Sequence, residues 1–264
     1  MPSFAKALVI PALALAASLA LLPIASASAE PTEVTVRVLS KDGKFVGSSM
    51  GGARVILRDA DTGEILAQGV TEGGTGDTKR IMHEDGGGRA TLSDDSAAKF
   101  TASLDITEPR LIEAEVFGPL SQRQSANRVT ATHWLVPGVP LTGGDGWVLE
   151  LPGFVVDVLA PPAHVKLSPE TKTVDVRVNV ALMCGCPITP GGLWDADKLD
   201  VKALVTRNGK KLAPIDLAFA GQTSQFEGRI PVFGAGLYDV TVYAHDPANG
   251  NTGVDRTSFI VSEK

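Results

Sequence analysis

The chain has 264 residues and carries 24 Lys and Arg against 30 Asp and Glu, a formal net charge of −6. Acids and bases are mixed along it with no basic stripe, which argues against nucleic acid as a partner, because a polyphosphate is held by clustered cations. Two cysteines are too few for a disulfide framework, so apolar burial has to hold the cores together.

The first element is a leader. Lys6 gives a positive start, Ala7 to Leu22 is an apolar run, and Ala27-Ser28-Ala29 supplies a small-x-small cleavage pattern before Glu30. This is the pattern of a secretory signal peptide over residues 1–29, too short and wrongly flanked for a spanning helix. The mature chain is expected to begin near Glu30 and to be periplasmic or secreted. No later stretch is long and apolar enough to cross a bilayer, and no cysteine near the cleavage site offers a lipid anchor. Residues 1–29 hold one lysine and no acid, so the remaining 235 residues carry 23 basic and 30 acidic side chains, −7 net. That length suits two domains of common size.

Strand patterning starts at once. "EVTVRVLSKDG" alternates Val34, Val36 and Val38 with Thr35 and Arg37, which predicts a half-buried strand and a turn at Asp42-Gly43. "ARVILRDADTGEILAQGVT" reads as a hairpin around Asp61-Thr62-Gly63. The glycine-rich polar run from Thr71 to Leu92 predicts a long loop or a flap. "AAKFTASLDI", "RLIEAEVFGPL", "RVTATHWLVPG" and "DGWVLELPGFVVDVLAPP" supply further strands, and Pro161-Pro162 reads as a joint. Beyond it, Val174, Val176, Val178 and Val180 alternate, and Asn208-Gly209 marks a second hairpin. "SQFEGRIPVF", "GLYDVTVYAHD" and "RTSFIVSEK" bring the total to about seven strands in ~100 residues, the sandwich pattern. Helical periodicity is nearly absent; "LWDADKLDVKAL" predicts a turn or two at most. The expected architecture is all-β: two tandem β-sandwiches, immunoglobulin-like, over residues 30–160 and 161–264.

Two resemblances fit these strands. "VTVRVLSKDGKFVGSSMGGARVILRDADTGEILAQGVT" is similar to transthyretin-like or carboxypeptidase-regulatory domains in its order of strand, Asp-Gly turn, strand, "DADTG" turn and strand. "GLYDVTVYAHDPANGNTGVDRTSFIV" resembles the last hairpin of immunoglobulin or fibronectin-type domains. Such folds mostly bind or space other molecules, and the resemblance implies no activity.

The candidate chemistry is sparse. Gly47 to Gly51 spells G-x-S-x-G around Ser49, but the residues that follow form a strand rather than the helix a nucleophile elbow needs, so this is read as a loop. His83, His133, His164 and His245 form no pair at metal-ligand spacing. The acids and asparagines from Asp246 to Asp255 lack the order of a calcium loop and read as a polar turn. No paired carboxylates, triad or phosphate loop is legible, so no enzyme is expected.

One stretch stands apart. Strand alternation ends at Leu182, and Met183-Cys184-Gly185-Cys186-Pro187 follows, which places both thiols at a strand end or bulge. On an extended backbone the two cysteines share a face, and with Met183 they form a soft donor set suited to copper(I). "CGCPITPGG" resembles the cytochrome oxidase copper-assembly factors, periplasmic or intermembrane proteins that carry a C-x-C pair on an immunoglobulin-like sandwich. It departs from them in having Gly185 and Pro187 where those proteins place aromatic residues. The same two sulfurs also read as a thiol–disulfide exchange pair or as a disulfide that only stiffens a bend. The functional expectation is an exported, non-catalytic binding or assembly module that meets another periplasmic or envelope protein. Its alternatives are a copper(I) carrier or metallochaperone using Met183, Cys184 and Cys186, and a thiol–disulfide exchange protein.

Overall fold

The structure is a computed structural model and describes Met1, residues 30–83 and residues 90–263. The expected cleavage site and the rest of the leader lie outside the described residues.

Strands β1 (Glu30–Ser40), β2 (Arg54–Asp59), β3 (Ile65–Val70), β4 (Phe100–Ile106), β5 (Arg110–Gly118), β6 (Asn127–Leu135) and β7 (Trp147–Leu151) build two sheets. One has the order β4-β1-β7, with β7 parallel to β1; the other runs β3-β2-β5-β6 and is antiparallel throughout. They pack face to face. Val34, Val36 and Val38 of β1 enter the same core as Val55 and Leu57 of β2 and Ile112 of β5. Burying each such side chain is worth roughly 1.5–3 kcal/mol, so the alternation of β1 alone selects its register.

The expected half-buried β1 is buried on both faces. Thr35 and Arg37 point away from the main core, yet each is only 7% exposed. Phe45 and the Ala97-Ala98 stretch cover Arg37, while Thr35 is met by Thr101 (3.3 Å) and by the loop that carries Leu141 and Gly146. The Arg37 guanidinium survives there by donating to the carbonyls of Ala97 (2.8 Å) and Ala98 (3.3 Å) and lying 5.9 Å from the Phe45 ring centre. The predicted loop or flap also contains a short helix, α1 (Thr78–His83). Its N-terminus is capped by Asp77, whose carboxylate accepts the Arg80 N–H at 2.7 Å.

The second pair of sheets uses β8 (Phe154–Ala160), β9 (Val165–Leu167), β10 (Thr173–Leu182), β11 (Asp200–Arg207), the two-residue strands β12 (Lys210–Lys211), β13 (Ile215–Asp216) and β14 (Ala218–Phe219), then β15 (Gln225–Pro231), β16 (Gly236–His245) and β17 (Thr252–Val261). The orders are β14-β15-β10-β8 and β12-β11-β16-β17-β9, with β13 also on β11. Val176, Val178 and Val180 of β10 meet Ala203 of β11, Val242 of β16 and Phe259 of β17 in the second core. Tyr238 stacks on Phe259 at 4.7 Å, and its buried hydroxyl donates to the Gly234 carbonyl at 2.9 Å. The chain is therefore all-β, two β-sandwiches in series.

Where the chain passes between them differs from the sequence reading. The joint was expected after residue 160, but β8 pairs with β10 in register Phe154↔Leu182 and Val156↔Val180. By hydrogen bonding, β8 belongs with the second sandwich, and the crossing comes earlier, at Pro152-Gly153. The boundary is also packed: Phe154, Val156 and Leu182 enter the second core while Val155 and Met183 enter the first.

Candidate functional site

The turn after β1 and the loop after β10 meet at this boundary. The Asp42-Gly43 turn forms as the sequence indicates, with Asp42 in the left-handed region (φ 54°) and Gly43 N–H donating to the Ser40 carbonyl at 2.9 Å. Gly43 is closely packed: a Cβ there would lie 3.0 Å from the Ser40 hydroxyl and 3.2 Å from the Cys184 sulfur. Lys44 N–H points at the same sulfur, 3.5 Å away.

The Cys-Gly-Cys stretch is a tight turn. Gly185 adopts φ 76°, and its N–H donates to the Leu182 carbonyl at 2.8 Å. Cys184 and Cys186 are joined as a disulfide, with Cα atoms 5.4 Å apart. Both lie in the second core, 1% and 4% exposed. The chain that follows is tied in place: Ile188 N–H donates to the Ser224 hydroxyl (3.1 Å) and Ser224 N–H donates back to the Ile188 carbonyl (2.8 Å).

Met183 does not join them. It is 1% exposed but belongs to the first core, with its methyl group against Gly153. Leu182, Met183 and Cys184 alternate between the two cores, which puts the thioether on the face opposite to the Cys184 sulfur. The methionine beside the pair is instead Met50, whose sulfur would lie 2.6 Å from a Cβ at Gly185. Sequence reasoning had no signal for it, because Met50 stands in the G-x-S-x-G run, here a 3-10 turn of Ser48–Met50 with Ser49 exposed.

The loop beyond the cysteines builds a cleft. Asp195 caps a 3-10 turn, Ala196–Lys198, its carboxylate accepting N–H groups from Asp197 (3.1 Å) and Gly191 (2.8 Å). These bonds, Gly191 foremost, hold its carboxyl below the usual carboxylate range. Trp194 Nε1–H donates to the Asp42 carbonyl at 2.7 Å. From the other side, Lys41 donates its ammonium to the Asn249 carbonyl (2.8 Å), and Asn251 donates its side-chain amide to the Lys41 carbonyl (3.2 Å). Between these ties lies a cavity of about 210 Å³. Phe154, Leu182 and Ile188 form its buried floor, Trp194 and Leu193 a wall, and Met82 of α1 one side. Asp42, Asp195, Asp246 and Lys198 are its charged groups.

The histidines are dispersed. His133 packs edge-on to Trp147 at 5.6 Å, His164 hydrogen-bonds Ser258 at 3.0 Å, and His245 hydrogen-bonds Thr252 at 3.1 Å. Asp246 holds its own turn through Ala248 N–H (2.9 Å) and the Asn249 amide (2.8 Å), while Asp255 accepts Val158 N–H at 2.8 Å, so the two acids serve separate elements. Among the described residues, no group of three His, Cys, Asp or Glu side chains is placed to hold a metal ion, and no helix is long and apolar enough to cross a membrane.

No protein-family model matches the chain, and no curated protein sequence matches it. Similar solved structures include the fibronectin(III)-like modules of Clostridium thermocellum CbhA, at 11% identity over 90% of this chain and 92% of that one, TM-score 0.29. The titin domains z1z2 in complex with telethonin are similar at 10% identity over 89% of each chain, TM-score 0.25. An engineered protein is similar at 19% identity over 49% of this chain, TM-score 0.31; the match spans only 24% of its length. The fold itself is read from the four sheets and two cores.

Proposed function

We propose that the chain is an exported, non-catalytic binding or assembly module that meets a periplasmic or envelope partner at the seam between its two sandwiches. The observation that carries this reading is the cleft itself. Asp42 reaches it from the first sandwich and Trp194 from the second, and its floor residues Leu182 and Ile188 flank the disulfide of Cys184 and Cys186 in the chain. A site assembled from two packed units is a common place for binding. Export is supported by the leader pattern over residues 1–29 and by a closed disulfide, which persists in oxidising compartments. The transthyretin-like rhythm of the first half belongs to the same reading, as a scaffold that spaces and presents a surface.

The experiment places a photo-crosslinking residue at Leu193, which is 46% exposed on the cleft wall, and a control at Leu204, 44% exposed on the outer face of β11. The reading expects one defined cross-linked partner from Leu193 and none from Leu204 in the producing cell's envelope fraction. Equal or absent cross-linking from both would defeat it. Mass spectrometry of the same material should give an N-terminus at Glu30 or two residues earlier.

Copper(I) carriage is a second reading, favoured by one contact: Met50 sulfur against Gly185, between the two cysteines. It requires reduction of the disulfide, since only thiolates bind the metal. Its donors are then Cys184, Cys186 and Met50 rather than Met183.

A further inference from the structure

The seam cleft has a size and a charge that narrow its ligand. At about 210 Å³ it lies below the roughly 300–1,000 Å³ of pockets that enclose whole organic ligands, so it suits a single side-chain-sized group. Its floor of Phe154, Leu182 and Ile188 is buried and apolar, which favours a hydrocarbon body. Its mouth is acidic. Among the described residues, Asp42, Asp195 and Asp246 stand there against Lys198, 3.8 Å from Asp195, and against Lys41 at the rim, its ammonium held by the Asn249 carbonyl, a balance of one negative charge. Asp42 and Asp246 have no ion-pair partner among the described residues, so a cation brought here meets a complement that an anion does not. Trp194 adds an aromatic wall, its ring oriented by the N–H bond to the Asp42 carbonyl.

We infer that the cleft binds a cationic head on an aliphatic stem, and that its source is a lysine or arginine side chain on an extended segment of the partner protein. Such side chains lay their methylenes along apolar surface while the charge stays at the wet rim, which is the arrangement the cleft offers. This inference rests on the seam being the binding site and adds the chemistry of what it takes.

The test uses the full mature chain and the peptide acetyl-Gly-Leu-Lys-Leu-Gly-amide as probe, with a Lys→Glu peptide and n-hexylamine as the other arms, followed by amide chemical shifts. The lysine peptide should bind at least about tenfold more tightly than the glutamate peptide and weaken as salt is raised. Asp42→Asn should weaken it about fivefold, asparagine being a residue that tolerates the left-handed turn; Lys198→Glu should tighten it several-fold. The second variant adds an acid at an exposed position, so a gain cannot arise from misfolding. Equal binding of the two peptides, or no shift of the cleft residues at millimolar peptide, overturns the inference. Hexylamine binding as tightly as the peptide would assign the site to a free amine and overturn the partner-segment source. Cross-linking at Leu193 is read separately: a defined partner without lysine preference would defeat the ligand chemistry and leave the seam's binding role standing.

Discussion

Trp194 and Asp42 are 152 residues apart in the chain and are joined by one hydrogen bond of 2.7 Å, indole N–H to main-chain carbonyl. The bond ties the loop that follows the disulfide to the turn that ends β1, and so fixes the two halves of the cleft against each other. Trp194→Phe keeps most of the apolar wall and deletes the donor. The expected cost is about 1 kcal/mol, a fall in Tm of roughly 2–4 °C for a chain of this size. Calorimetry checks it; an unchanged Tm would mean the bond adds nothing to the seam.

The disulfide closes a ring of only three residues, so the entropy it removes from the unfolded chain is small. The loop-length relation gives about 1.5 kcal/mol. Replacing Cys184 and Cys186 together by Ala should therefore lower Tm by roughly 3–6 °C and leave the fold intact, since the surrounding core is apolar. A loss of the folded state would show that this turn carries more of the second core than its ring size implies. In the native protein, thiol titration should find no free sulfhydryl without reductant. After reduction, if copper(I) is taken up, Met183→Leu should leave uptake unchanged and Met50→Leu should weaken it.

Much of the fold was legible because it depends on local period and turn chemistry. The valines of β1 and β10 face the cores as their alternation indicates, and Asp42-Gly43 and Asn208-Gly209 are turns. What was not legible depends on contacts distant in sequence. The burial of Arg37 comes from residues 97 and 98, and no pattern near residue 37 announces that cover. The site was half legible. The Cys-Gly-Cys stretch was marked as unusual, and the sulfurs are indeed adjacent. Met183 lies in the opposite core because Leu182, Met183 and Cys184 still alternate faces at the end of β10, a parity that was already legible in the sequence. The cleft residues Asp42 and Asp246 looked like ordinary turn residues, and within their own turns they are.

Placing β8 in the second sandwich has a direct consequence for truncation. A fragment of residues 162–264 lacks β8, leaving the Arg177–Leu182 edge of β10 unpaired and removing Phe154 and Val156 from the second core. Two buried side chains alone are worth roughly 3–6 kcal/mol, a large share of the stability of a small domain. A fragment of residues 152–264 keeps both. Circular dichroism melts should show a cooperative transition for the longer fragment and a much lower or absent one for the shorter. Equal melts would place β8 outside the second core's stabilising set.

Asp59, at the end of β2, gives a pH signature that involves no part of the seam. Its carboxylate accepts the Thr62 N–H (2.8 Å), the Asp61 N–H (3.0 Å) and the Thr62 hydroxyl (3.0 Å), and pairs with Arg110 at 3.4 Å. The Thr62 N–H is the largest influence; together these contacts outweigh the opposing effect of burial and hold the carboxyl below the ordinary value of 3.8. A folded-state pKa that is depressed means the ionised form favours folding. The stabilisation is complete above pH 3.8, the unfolded value, and disappears as pH falls through the lower folded value. Asp59→Asn keeps an acceptor oxygen and removes the charge. It should melt a few degrees below the wild type at pH 7 and at pH 5, and the gap should close only as the pH drops below 3.8. A gap that is constant from pH 7 to pH 2.5 would assign the loss to shape rather than charge, and the Arg110 pair and the turn N–H groups would then act on a neutral acceptor equally well.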